Sequence, residues 1–268
     1  MKLSFTTLGC PNWSFEKIIS TAREIGYTGL EIRGIEGVMR TDELPMFSVA
    51  NAAATKKLLA GNGLEIACFD TSVWFHHDPN FDAAVSEGKL AIDVCERMGA
   101  PTIRVFGDTI QNEEVREHVI NQIVKGLRIL CEYARGKRVD VLLEVHGDMN
   151  TVETITQIAE QIKDCPEFGL IWDVVHSDHT YGDNWREFYN AIKPYVRHTH
   201  IKDYNRKYGK YCLTGEGDVR IADLVKTLRG DGYDGWYSFE WEKRWHPELD
   251  EPEIAFPQYF KYMTEILK

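Results

Sequence analysis

Short apolar runs alternate with longer amphipathic stretches along the whole chain. Residues 3–8 read as a strand ended by Gly9-Cys10-Pro11. Behind Ser14, a candidate N-cap, Phe15, Ile18, Ile19 and Ala22 recur at helical spacing until Gly26. The alternation then repeats. Strands are predicted over residues 29–32, 64–70, 102–106, 139–145, 168–172, 196–203 and 236–239, and helices over 49–60, 81–98, 113–135, 151–162, 185–192, 221–229 and 252–267. With the first pair, that makes eight strand-then-helix units.

No linker, low-complexity tract or charge block interrupts the series, so residues 1–268 are expected to form a single domain. Regular alternation predicts an α/β architecture with a parallel sheet and outer helices, and eight units in a chain of this size predict a single (β/α)8 TIM barrel. An open doubly wound sheet is the rival. It usually carries a glycine-rich phosphate loop after its first strand, and Leu8-Gly9-Cys10-Pro11-Asn12 is not one. Gly26-Tyr27-Thr28-Gly29 and Gly232-Tyr233-Asp234-Gly235 echo each other between a helix and a strand, which shared turn chemistry explains.

Composition narrows the function classes. A formal charge of −11 argues against a polyanionic partner, because phosphate binding needs clustered Lys and Arg. The six cysteines stand singly with no Cys-x-x-Cys pair, which argues against a zinc ribbon and a disulfide scaffold and suits a reducing compartment. No apolar run has the length of a signal peptide or a membrane span, so a soluble cytoplasmic protein is expected.

The chemistry gathers at strand ends, where a barrel of this kind builds its active site. The fifth strand ends Glu144-Val145-His146 and the sixth runs into Asp173-Val174-Val175-His176. The seventh is Val196-Arg197-His198-Thr199-His200-Ile201-Lys202-Asp203, and the eighth ends Glu240-Trp241-Glu242. Alternate side chains of a strand share a face, so His198 pairs with His200, and Glu240 with Glu242; His200 lies closer to the carboxyl rim. Acidic residues are depleted from strands, and a buried unpaired carboxylate is costly. Four strands ending in carboxylates or imidazoles therefore predict one divalent metal ion, against a buried ion-pair network as the plainer reading. Oxygen-rich ligands favour Mn²⁺, Mg²⁺ or Co²⁺ over Zn²⁺. Spacing alone does not choose between Glu240 and Glu242.

These motifs resemble the metal site of the xylose isomerase-like TIM barrels, the sugar phosphate isomerase/epimerase group. The likeness rests on Glu144-x-His146, Asp173-x-x-His176, His198-x-His200-x-Lys202-Asp203 and Glu240. It extends to Gly9-Cys10-Pro11, to the segment Gly26 to Glu31, to Gly215-Glu216-Gly217 and to Glu242-Lys243-Arg244-Trp245-His246-Pro247. The resemblance implies Glu144, Asp173, His200 and Glu240 as metal ligands. It implies His176 and Arg206 as contacts to substrate hydroxyls, with Lys202 and His146 as further candidates whose plainer roles are a rim salt bridge and a supporting hydrogen bond.

The expected activity is that of a metal-dependent sugar isomerase or epimerase. Glu144 and Glu240 act as the catalytic pair, moving protons through a metal-stabilised enediolate of a ketose, aldose or polyol. Loss of a β-hydroxyl from the same species would make the enzyme a dehydratase of the inosose or dehydroshikimate type. An endonuclease IV-type hydrolase would need further histidines: the fourth strand ends Arg104-Val105-Phe106-Gly107-Asp108, and the Asp-x-His after the seventh strand is absent. A non-catalytic sugar-binding barrel would show a broken ligand, and all four are present. Trp13, Trp74 and Phe75 stand near early strand ends, either walling the pocket or packing beneath loops. Arg33, Arg104 and Arg206 are candidates for a substrate phosphate, but no glycine-rich anion loop follows the seventh or eighth strand, so a non-phosphorylated substrate is expected. The expected partner is a small-molecule sugar or polyol, with no nucleic acid or membrane and with room for a homo-oligomer.

Overall fold

The structure is a computed structural model that describes residues 2–76 and 78–268; Met1, in the stretch read as lacking a leader, lies outside them, as does His77. In chain order the strands are β1 (Leu3–Thr6), β2 (Gly29–Ile32), β3 (Glu65–Trp74), β4 (Thr102–Phe106), β5 (Asp140–Glu144), β6 (Phe168–Asp173), β7 (Val196–Ile201), β8 (Asp203–Asn205), β9 (Lys210–Cys212) and β10 (Tyr237–Phe239). The helices are α1 (Phe15–Ile25), α2 (Ala52–Gly61), α3 (Phe81–Met98), α4 (Glu113–Ala134), α5 (Val152–Ile162), α6 (Val174–Tyr181), α7 (Trp185–Ile192), α8 (Ile221–Gly230) and α9 (Pro252–Ile266).

Eight strands close into a barrel in the order β1-β10-β7-β6-β5-β4-β3-β2, every neighbouring pair parallel. The seam is β1 against β10, with Leu3, Ser4 and Phe5 opposite Tyr237, Ser238 and Phe239. This is the (β/α)8 barrel expected from the alternation. Local chemistry fixes the ends of its units. Ser14 Oγ accepts the Lys17 N–H at the start of α1, and Gly26 closes that helix at φ 108°, where a side chain would be strained. Gly232 repeats the turn at φ 85° after α8. In both, the following tyrosine N–H returns to the helix: Tyr27 to Ala22 O and Tyr233 to Leu228 O.

Two elements depart from the sequence reading. A short helix, α6, starts directly at the end of β6, so His176 sits on a helix instead of a strand. An antiparallel hairpin, β8–β9, rises from the end of β7. Its base is tied by Asp203, whose carboxylate accepts the backbone N–H groups of Tyr204, Gly215, Gly217 and Val219 at 2.7–3.2 Å.

The large apolar core lies between the strands and the helices. Inside the barrel the apolar content shrinks to a separate cluster of Cys68, Leu142 and Ile171. Because side chains alternate along a strand, Leu142 and Glu144 share the inner face of β5, and Ile171 and Asp173 that of β6. The apolar floor thus leads upward into charge. No described helix is long and apolar enough to cross a membrane.

Candidate metal centre

The carboxyl ends of β5, β6, β7 and β10 bring Glu144, Asp173, His200 and Glu240 together. One ligand atom from each lies within 4.8 Å of all the others. All four are buried, Glu240 being the most exposed at 4%. Asp173 is fixed twice, as the last residue of β6 and as the N-cap of α6, where Oδ1 accepts the N–H groups of Val175 and His176 at 2.9 and 3.2 Å. Glu240 follows β10 immediately, its N–H donated to Ile201 O at 3.1 Å.

His200 is the nitrogen donor of the group. Its Nδ1 lies 3.1 Å from Glu144 Oε1 and 3.4 Å from Glu240 Oε1. The opposite nitrogen, Nε2, lies 2.9 Å from Glu31 Oε1. The other oxygen of Glu31 lies 2.9 Å from His198 Nε2. In the barrel order β2 is separated from β7 by β1 and β10, so these contacts cross the lumen. Glu31 therefore fixes the ring so that Nδ1 faces the carboxylates, an arrangement common behind metal-ligating histidines.

Two cations flank the donors. Arg104 Nη1 is 2.7 Å from Glu144 Oε2. Lys202 Nζ reaches Asp173 Oδ2 at 2.7 Å, Glu240 Oε2 at 2.6 Å and Glu242 Oε1 at 2.5 Å. The contact to Asp173 is close but not aligned as a hydrogen bond, leaving Oδ2 a buried oxygen with no hydrogen-bond partner. Three carboxylates, one imidazole nitrogen oriented from behind and one orphaned oxygen make a donor set that fits a divalent cation.

The electrostatics follow from this crowding. Burial alone would push Glu144 up, but Arg104 and His200 hold it well below the usual carboxylate range. Glu240 is likewise held low, by His200 and Lys202 against burial. His200 moves the other way: burial would lower it, yet Glu240, Glu31 and Glu144 hold it well above the usual imidazole range. Asp70, at the inner face of β3, is pushed well up by burial and by Glu31, against Arg104 and His200. Burial, with Lys202 and His146 nearby, lowers His176 to about 3, so its ring is neutral.

The remaining sequence candidates take different places. His146 and Lys202 line a cavity of about 190 Å3 with Arg33, Arg104, Glu144 and Glu240. His146 Nδ1 lies 3.0 Å from Asp108 Oδ1, and its ring centroid is 4.2 Å from that of His176. His176 Nε2 stands 3.8 Å from Asp173 Oδ2. Arg206 does not line the cavity; its guanidinium grips Asp178 of α6 through Nε at 3.1 Å and Nη2 at 2.5 Å. Of the early aromatics, Phe75 is fully buried, and Trp13 lines a neighbouring cavity. A larger cavity of about 550 Å3 lies at the opposite end of the barrel, beside Val196 and Tyr233, and holds none of these donors.

Glu31, Asp70 and Arg104 complete the charged interior; the sequence reading had Arg104 only as a candidate for a substrate phosphate and gave Glu31 and Asp70 no role. The signal was present. The test of charged residues at strand ends, applied to strands five to eight, also selects Glu31 on β2, Asp70 on β3 and Arg104 on β4.

Comparison with known proteins agrees with the fold. Residues 19–260 match the family model described as xylose isomerase-like TIM barrel. The chain is 21% identical to fructoselysine 3-epimerase of Shigella flexneri over 274 residues, covering 100% of this chain and 98% of that protein. It is 24% identical to inosose dehydratase of Clostridium perfringens over 291 residues, covering 94% and 90%. Among solved structures, the IolI protein with a bound zinc atom superposes with a TM-score of 0.80 at 18% identity, covering 99% and 98% of the two chains.

Proposed function

The chain belongs to the xylose isomerase-like TIM barrel family, and we propose that it is a divalent-metal-dependent enzyme that moves protons next to the carbonyl of a sugar or polyol. The observation that carries this reading is the pair Glu144 and Glu240, two buried carboxylates held ionised beside the same imidazole at the wall of one cavity. A cation held by Glu144, Asp173, His200 and Glu240 would supply Lewis-acid polarisation of a carbonyl.

The chain's own groups supply the rest. An ionised glutamate beside a polarised carbonyl is a general base for the adjacent C–H. Glu144 Oε2 is anchored by Arg104, which holds that carboxylate in place as the proton arrives. Glu240 Oε2 is hydrogen-bonded to the Lys202 ammonium, so the proton returned to the substrate carbon comes from that ammonium by way of the Glu240 carboxylate, and exchange with solvent removes the proton left on Glu144 and reprotonates Lys202. Delivery to the opposite face of the same carbon is epimerisation, and delivery to the neighbouring carbon is isomerisation. His146 and His176, the latter neutral, stand close enough to orient substrate hydroxyls. The similarity to fructoselysine 3-epimerase supports this outcome.

A dehydratase is the second reading. The similarity to inosose dehydratase supports it, and the Lys202 ammonium is a donor for a departing hydroxyl. The oxygen-rich donor set favours Mn²⁺, Mg²⁺ or Co²⁺, and the zinc bound to IolI makes Zn²⁺ the fourth ion to test.

The reading is tested by incubating metal-supplemented protein with ketoses, aldoses and inososes in D₂O. Solvent deuterium at one product carbon indicates proton transfer, and an unsaturated product indicates dehydration. Glu240→Gln should keep the circular dichroism spectrum and lose at least about a hundredfold in turnover. Normal metal-dependent turnover in that variant would sink the two-glutamate scheme.

A further inference from the structure

The basic residues in and around the cavity pair off, with two exceptions. Arg104 is matched by Glu144 and lies 3.7 Å from Asp70, Lys202 by three carboxylates, and Arg206 by Asp178. Arg33 and Arg244 form no ion pair among the described residues. Arg33 is 9% exposed, and its guanidinium donates only to neutral oxygens, Met39 O at 3.4 Å and Ser72 Oγ at 3.0 Å. Arg244 carries a buried Nε with no hydrogen-bond partner, and its guanidinium lies 5.2 Å from the Trp245 ring.

Both arginines hang from one turn. The Arg33 N–H donates to Thr7 Oγ1 at 2.8 Å, and the Arg244 N–H donates to Leu8 O at 3.1 Å. Arg33 lines the cavity at the donor cluster, whereas Arg244 lines an adjoining cavity of about 370 Å3, and Trp245 belongs to both. In that second cavity the nearby acid is already neutralised, because Glu251 Oε1 lies 2.8 Å from Lys243 Nζ. Burial, Arg104 and Arg244 lower Arg33 to about 10, against Asp70 and Glu87, which lie near enough to raise it but do not form an ion pair with it.

Leaving an unpaired cation this deeply buried is costly unless an anion arrives with the ligand. We propose that Arg33 and Arg244 form an anion subsite that receives a phosphate or carboxylate group carried by the substrate, beside the carbon that reacts at the donor cluster. The subsite rests on the functional reading above for its place in catalysis, but not for its existence. Guanidinium groups bind such oxyanions through charge-assisted, often paired, hydrogen bonds. The substrate class is therefore an anionic sugar or polyol: a sugar acid, which keeps the expectation of a non-phosphorylated substrate, or a sugar phosphate, which does not.

The test is a calorimetric titration of inorganic phosphate into metal-loaded protein, in the wild type and in Arg33→Met and Arg244→Met. Phosphate affinity should fall about tenfold or more in each variant, the size of a lost charged hydrogen bond. Absent binding means that no anion site exists, and variants that bind as strongly as the wild type mean that the ion sees only the metal; either result overturns the subsite. This result stands whether or not any sugar is turned over, so its failure is distinct from failure of the functional reading. Turnover of matched neutral, phosphorylated and carboxylated sugars then separates the two sources of the anion. A neutral sugar preferred over both charged partners also overturns the subsite, while leaving proton transfer at the donor cluster intact.

Discussion

Between His198 and His200 the Glu31 carboxylate commits one oxygen to each imidazole, at 2.9 Å. Burial opposes its charge, but the two histidines hold it well below the usual carboxylate range. Glu31→Gln keeps the volume and removes one of the two acceptor oxygens, so the His200 ring loses its fixed tautomer. Divalent metal affinity should fall about 10- to 100-fold by calorimetry, with the circular dichroism spectrum unchanged. Unchanged affinity would show that the ring is positioned by packing alone. A second residue-scale case is His146. Burial would lower it, but its hydrogen bond to Asp108 and the nearby carboxylates raise it, while the same contact lowers Asp108. The raised imidazole stabilises the fold below its unfolded value near 6.5, and that contribution is lost as pH rises through the folded value. The lowered carboxylate stabilises above its unfolded value near 3.9, and that contribution is lost as pH falls. The pair therefore contributes most between these limits, and modestly, since each side chain is more than a third exposed. Asp108→Asn should lower the His146 pKa in an NMR titration; an unmoved pKa would assign the shift to the other carboxylates.

At the scale of elements, the barrel strands were legible because most are short runs of apolar and β-branched residues that alternate with longer amphipathic stretches. Their pairing also predicts sensitivity. A Cβ at Gly29, on β2, would run into the Trp236 ring just before β10. Gly29→Ala should destabilise the barrel by about 1–3 kcal/mol in denaturant unfolding, and no loss would mean the indole rotates freely aside. The elements missed in the sequence lack such patterns. The helix α6 is eight residues, Val-Val-His-Ser-Asp-His-Thr-Tyr, with a polar stretch and no amphipathic period; only Asp173, read as a ligand, marked its start as an N-cap. The hairpin β8–β9 alternates polar and aromatic residues around Asn205 to Lys210 and owes its shape to Asp203, whose four N–H partners are up to sixteen residues away. That four strand ends carry donors was legible from the residues, but the choice of His200 over His198 and of Glu240 over Glu242 came from the family resemblance, because parity leaves each pair on one face. The contacts of Glu31 were not legible, because they join β2 to β7 across the lumen, and which inner side chains meet there depends on the stagger of the strands as well as on their order.

For the molecule as a whole, the buried ionic interior links the centre to the fold. Without a cation, Glu31, Glu144 and Glu240 are held low and His200 high, so the carboxylates surround an imidazolium. The lowered carboxylates stabilise the protein above their unfolded range, and this is lost as pH falls through their folded values. The raised His200 stabilises it below its unfolded value, and this is lost as pH rises through its folded value. A cation at Nδ1 needs that nitrogen's lone pair, while Nε2–H stays donated to Glu31. Binding must therefore expel the Nδ1 proton, and the apparent affinity should rise about tenfold per pH unit up to the folded pKa of His200. Calorimetry in two buffers of different ionisation enthalpy should count about one proton released per metal bound. At a hundredfold excess over the dissociation constant, the bound ion should add about 2.7 kcal/mol of stability, seen as a higher melting temperature that a chelator removes. Binding with no proton release would mean that His200 is already neutral, and would place the compensating charge elsewhere in the lumen.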